Sequence, residues 1–122
     1  MYAQLEAYRD ALKTTMSGRE IEASVLTKAA LMLRSCQEKW DSENRSAKLE
    51  EALKFNQLIW SVFQSELAEA ENPLPKKTRE DILSLAAFID KRIFDIMAYP
   101  SPEKLTIIIN INLNIAAGLQ GR

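Results

Sequence analysis

Clustered acids, a basic group beside a proline turn, a lone thiol and asparagines set into apolar stripes are the side chains in this sequence that could do chemistry. Glu66, Glu69 and Glu71 gather near one predicted helix end, and Glu50 and Glu51 are adjacent. Carboxylates on facing helices can hold a di-metal centre, but such bundles complete it with Glu-x-x-His motifs, and the chain has no histidine. The same absence removes the commonest general base and the usual nucleophile triads. These acids therefore read as a solvated face. Cys36 is the sole cysteine, so neither an internal disulfide nor a thiolate metal cage can form. It falls on an apolar stripe one turn before Trp40, the place of a packed rather than a reactive thiol. No glycine-rich phosphate loop is present. These residues predict a protein with no catalytic group, no metal and no cofactor.

Lys76, Lys77 and Arg79 follow the turn Asn72-Pro73-Leu74-Pro75 and could meet a phosphate or an acidic partner, although charges beside a helix start more often serve solubility. The asparagines are harder to dismiss. Asn56 sits one turn before Trp60 in an apolar stripe, and Asn112 lies inside an apolar run. A buried amide must find partners. Asn112 is therefore expected to bond Asn56, or a backbone carbonyl near the Pro73 turn, and to close the last helix on the third. Trp60 is expected to be buried against the second and fourth segments.

Length and composition bound these possibilities. At 122 residues and 47% hydrophobic, the chain predicts one domain, 1–122, with a core of its own. A formal net charge of -1 and a pI near 5.6 argue against a protein that coats nucleic acid, because counterion release needs a basic surface. No signal-peptide run and no stretch of roughly 18 uncharged apolar residues occurs, which predicts a cytoplasmic protein without a membrane span.

The prolines divide the chain. Each pair, Pro73/Pro75 and Pro100/Pro102, removes backbone donors and ends one helix before the next. Tyr2, Leu5, Tyr8 and Leu12 lie at helical spacing in the first segment. Ser17-Gly18-Arg19-Glu20 reads as a capping box for a second helix with Ile21, Val25, Ala29, Met32, Leu33, Cys36 and Trp40 on its stripe. A third helix, near 47–70, carries Leu49, Leu53, Trp60, Phe63 and Leu67 on one face and Phe55, Leu58, Ile59 and Val62 on another, which makes it central. Thr78-Arg79-Glu80-Asp81 offers an N-cap for a fourth, near 79–98, with Ile82, Leu85, Ala86, Ile89, Ile93, Phe94 and Met97 apolar. The last segment, 105–117, is ambiguous. Ile109 to Ile115 alternates with asparagine at strand period, while Ser101-Pro102 and Gly118 mark helix ends. A lone strand has no ladder partner, so the helix is preferred, with Ile107, Ile108, Ile111, Ile115 and Ala116 together and Asn110 and Asn114 facing solvent. The expectation is an all-α bundle of about five helices, built mainly on the second, third and fourth segments.

Several strings together resemble one family. Asn56-Gln57-Leu58-Ile59-Trp60, Asn72-Pro73-Leu74-Pro75, Arg79 with Ile82 and Leu83-Ser84-Leu85, and Ile111-Asn112-Leu113-Asn114-Ile115 ahead of Gly118-Leu119 look like the FlaF family of bacterial flagellar biosynthesis regulators. The family often has a basic residue where this chain has Leu113. The resemblance implies a non-enzymatic protein that binds flagellin in the cytoplasm and assists its synthesis and secretion, working opposite the translational regulator FlbT. Flagellin's terminal segments are amphipathic, and helix-in-groove contacts would hold them. Candidate contact residues are Leu5, Tyr8 and Leu12 in the first segment, Ile107, Ile111 and Leu113 in the last, and the basic Lys76, Lys77 and Arg79. The alternative is an RNA-level regulator of flagellin message using those three with Lys91 and Arg92, which no RNA-binding signature supports.

Overall fold

The computed structural model describes residues 18–69 and 72–121, and these are all helix, turn or coil. Among the described residues four α-helices run α1 (Gly18–Glu38), α2 (Arg45–Ala68), α3 (Lys76–Ala98) and α4 (Leu105–Leu119), with a 3-10 turn at Pro102–Lys104. About five helices were expected. The first segment, with Leu5, Tyr8 and Leu12 and with Ser17 of the capping box, lies outside the described residues.

Local physics places most of the boundaries. The polar residues Asp41 to Asn44 fill the α1–α2 turn, where the Ser42 and Arg45 amides take up the Lys39 and Ser42 carbonyls. α3 starts earlier than the Thr78 cap predicts. Pro75 is its N-cap, and the Pro75 carbonyl already accepts from the Arg79 amide at 3.0 Å, so Thr78 lies inside the first turn. A proline before the helix is preset to the backbone geometry this needs. At the other end of the chain Gly118 is not the terminating residue expected. α4 continues to Leu119, and the glycine with a left-handed φ is Gly121, at 76°.

The Ile-Asn segment is a helix. It buries Leu105, Ile108, Ile109, Asn112 and Ala116, a helical stripe with one amide in it. Asn110 and Asn114 are exposed, while Ile107 is turned outward, 39% exposed, instead of joining Ile108 and Ile111. Asn110→Ala and Asn114→Ala should each leave stability unchanged or raise it by up to about 0.7 kcal/mol through helix propensity, read by thermal melting.

The order of packing differs from expectation. The most extensive pairing is between α1 and α4, α2 packs on α1, and α3 packs on α2 alone among the closely paired helices. The last segment, not α3, is thus the main partner of α1. Ala23, Ala29 and Ala30 on α1 are fully buried and small, which lets the helices packed on α1 approach closely. α3 buries only Ala86, Ile89, Ile93 and Ile96. Phe94 and Met97, expected on its apolar stripe, stay 66% and 40% exposed; among the described residues α2 is the one helix packed closely on α3.

Candidate functional site

Three polar side chains meet in the middle of the core. Asn112 on α4 donates from Nδ2 to Asn56 Oδ1 at 2.6 Å, and Trp60 Nε1 donates to Asn112 Oδ1 at 2.9 Å. Asn56 Nδ2 in turn donates to the Ala52 carbonyl at 2.8 Å and to the Ala29 carbonyl of α1 at 3.2 Å. Asn56, Trp60 and Asn112 are all fully buried. Of the two partners expected for Asn112, Asn56 is the one it takes, and the chain of bonds extends across α1, α2 and α4. Trp60 is buried as expected, with its polar atom given to α4. Each side-chain nitrogen and oxygen in this network is paired, which is what makes a buried polar cluster tolerable.

The network fixes the ring of Trp60, and that ring underlies an open groove. Phe63 meets Trp60 edge to face, with centroids 5.9 Å apart and planes at 84°. Together with Leu67, they line a groove of about 590 Å³ whose other walls are Leu74, Ile82, Ile115 and Leu119. Arg19 and Glu22 from the start of α1, and Glu66 and Glu69 from the end of α2, border it with charge. Every described helix contributes. An apolar floor with charges of both signs around it suits an amphipathic segment better than a small polar substrate.

The proline turn shapes one wall. Asn72 Nδ2 donates to the Glu66 carbonyl at 3.2 Å, while its Oδ1 accepts from the Leu74 amide at 3.0 Å. That pair of bonds caps the end of α2 and folds the chain back, which is why Asn72 precedes Pro73 here. Arg79 Nη1 reaches the Glu69 carbonyl at 3.3 Å, tying the start of α3 to the same helix end. Pro75, as the N-cap, completes the turn. At the opposite end, Gln37 Nε2 donates to the Pro102 carbonyl at 2.9 Å and to Thr106 Oγ1 at 2.8 Å, latching the 3-10 turn to α1.

The candidate contact residues are not gathered at this groove. Ile107 is exposed, Ile111 and Leu113 are half-buried and packed against the core, and none of them lines it. Leu5, Tyr8 and Leu12 lie outside the described residues. Lys76 and Lys77 pair along their own helix with Glu80 at 3.9 Å and Asp81 at 3.0 Å. The last segment does contribute, but through its end, Ile115 and Leu119. Phe63, Leu67 and Ile82 read as core from their spacing, and nothing in the sequence shows that the bundle leaves this corner open. Leu119, just beyond the glycine expected to end the helix, had no reason to be placed on a wall.

Among the described residues no three acidic or thiol side chains come together as a metal site, and no helix is long and apolar enough to cross a membrane. Burial, followed by the Glu51 carboxylate, pushes the Cys36 thiol above its ordinary pKa, so it stays protonated and weakly nucleophilic at neutral pH.

Comparison with known proteins bears on the whole chain. The family model described as "Flagellar protein FlaF" matches residues 4–119. No curated protein and no solved structure matches it. The matched span takes in the Asn56–Asn112–Trp60 network, the proline turn and every wall of the groove. The chain belongs to the FlaF family of flagellar proteins.

Proposed function

We propose that this protein binds flagellin in the cytoplasm and assists its synthesis and secretion without catalysing a reaction, by holding an amphipathic helical segment of flagellin in the groove beside Trp60. The observation that carries this reading is the groove itself, where the half-buried Phe63, Leu74, Ile82, Ile115 and Leu119 lie over the buried Trp60 and Leu67, on a member of a flagellar family. Ordering a helix-prone segment on binding lowers net affinity, which suits a client that must be handed on to the export machinery. A functional link to the translational regulator FlbT follows from the same family reading. Four of the five basic residues of the RNA alternative have partners within the chain, and Lys91 is exposed. Lys76 and Lys77 face acids of their own helix, Arg79 is turned to a backbone carbonyl, and Arg92 stacks over Phe88 at 5.7 Å.

Calorimetric titration with purified flagellin tests the proposal. Binding is expected at tens of micromolar or tighter, and Leu119→Glu should weaken it at least about tenfold by placing a charge on the apolar wall. Leu119 is half-buried at the end of α4, so the melting temperature of the variant should change little. Failure of the wild-type protein to bind flagellin at any salt concentration, or an unchanged affinity in a folded Leu119→Glu variant, would sink the reading.

A further inference from the structure

α3 carries two apolar seams side by side. Ile82, Ala86, Ile89, Ile93 and Ile96 recur at spacings of four and three residues and face the bundle, all buried except the half-buried Ile82. One residue on, Leu83, Ala87, Asp90, Phe94 and Met97 repeat the same four-three spacing. None of the second set is buried. Spacing of this kind, held for two heptads, is what a facing helix packs against. The second seam spans about 21 Å at 1.5 Å per residue. It is separate from the groove beside Trp60, to which α3 gives only Ile82.

Asp90 at the centre of the seam identifies what fits it. The residue is half-buried, and its carboxylate has no hydrogen-bond or ion-pair partner among the described residues, so water alone solvates it. The positions three and four residues away are Ala86, Ala87, Ile93 and Phe94, so its own helix offers no cation within reach. Covering the seam with an all-apolar helix would strip water from that charge without compensation. Pairing two copies of this chain through the seam brings the two Asp90 carboxylates within a turn of each other, which like-charge repulsion opposes. A helix that presents a cation at that height satisfies both requirements.

We propose that the Leu83–Met97 seam of α3 is a second docking surface, for an amphipathic helix of about four turns on another protein that carries a lysine or arginine facing Asp90. The protein then holds its groove and this seam on different sides of α3, and one partner can be bound at each.

Fluorescence anisotropy with the full-length protein and two labelled helical peptides tests this. Each peptide has about 18 residues with leucine at the heptad positions; one has a central lysine and the other a central glutamate. The lysine peptide should bind at least about tenfold more tightly, Asp90→Lys should reverse the order, and Phe94→Ser should weaken both while leaving the melting temperature unchanged. Equal binding of the two peptides, no binding of either, or no effect of Phe94→Ser overturns the proposal. A concentration-dependent dimer in sedimentation that Phe94→Ser abolishes gives the seam to a second copy. Displacement of the lysine peptide by a synthetic peptide of residues 1–17 gives it to the chain's own N-terminal segment. Either of those results also overturns the proposal. Flagellin binding measured on Asp90→Lys should be unaffected, so failure here is distinct from failure at the groove.

Discussion

Trp60→Ala should lower stability by about 3–5 kcal/mol, enough to leave so small a protein largely unfolded at 37 °C. The indole is fully buried, so its removal opens a cavity under the groove and withdraws the donor that Asn112 Oδ1 accepts. Trp60→Phe separates the two contributions. It keeps most of the ring but deletes Nε1, and should cost about 1–3 kcal/mol for the acceptor left unpaired. Urea titration followed by circular dichroism measures both. A Trp60→Ala variant with wild-type melting would show that the side chain is a surface contact and not part of the core.

Asn112→Ala should cost about 2–5 kcal/mol, more than most single hydrogen bonds, because it strands two buried groups together: Trp60 Nε1 and Asn56 Oδ1. The partner left behind, not the bond lost, sets that cost. A double-mutant cycle with Asn56→Leu and Asn112→Leu should therefore give a double variant more stable than the sum of the singles predicts, by about 1–3 kcal/mol. Additivity within about 0.5 kcal/mol would mean that the two amides act independently.

How far the sequence disclosed this arrangement depends on what kind of information each feature needs. The Asn56–Asn112 bond was legible because an amide inside an apolar stripe has few ways to be satisfied, and two such amides on packed helices answer each other. The role of the indole was not: Trp60 Nε1 could have met any of several acceptors, and only the placement of α4 against α2 selects Asn112. The Ala29 carbonyl was equally hidden, since a helix carbonyl already has its own amide donor and takes Asn56 as an extra one. Periodicity groups the exposed Phe94 and Met97 with the core because it reports which residues share a helix face but not how many neighbours that helix has. The groove escaped for the same reason. Its walls are ordinary core residues, and the opening comes from where helix ends fall short of one another.

The pairing of α1 with α4 has a consequence for biosynthesis. These are the first and last described helices, yet they make the most extensive contact in the fold. A chain emerging N-terminus first would have α1, α2 and α3 free before the segment from Leu105 to Leu119 appears. Until it does, the polar atoms of Asn56 and Trp60 lack their Asn112 partner, and the face of α1 that α4 covers stays in water. Closing contacts so distant in sequence, 65 residues apart even at Gln37 and Pro102, carries the loop-closure entropy of more than half the chain, which slows folding relative to bundles of sequential hairpins. The nascent protein should thus remain protease-sensitive until its last helix is made, and a translation product stopped short of Asn112 should be cleared rather than accumulate.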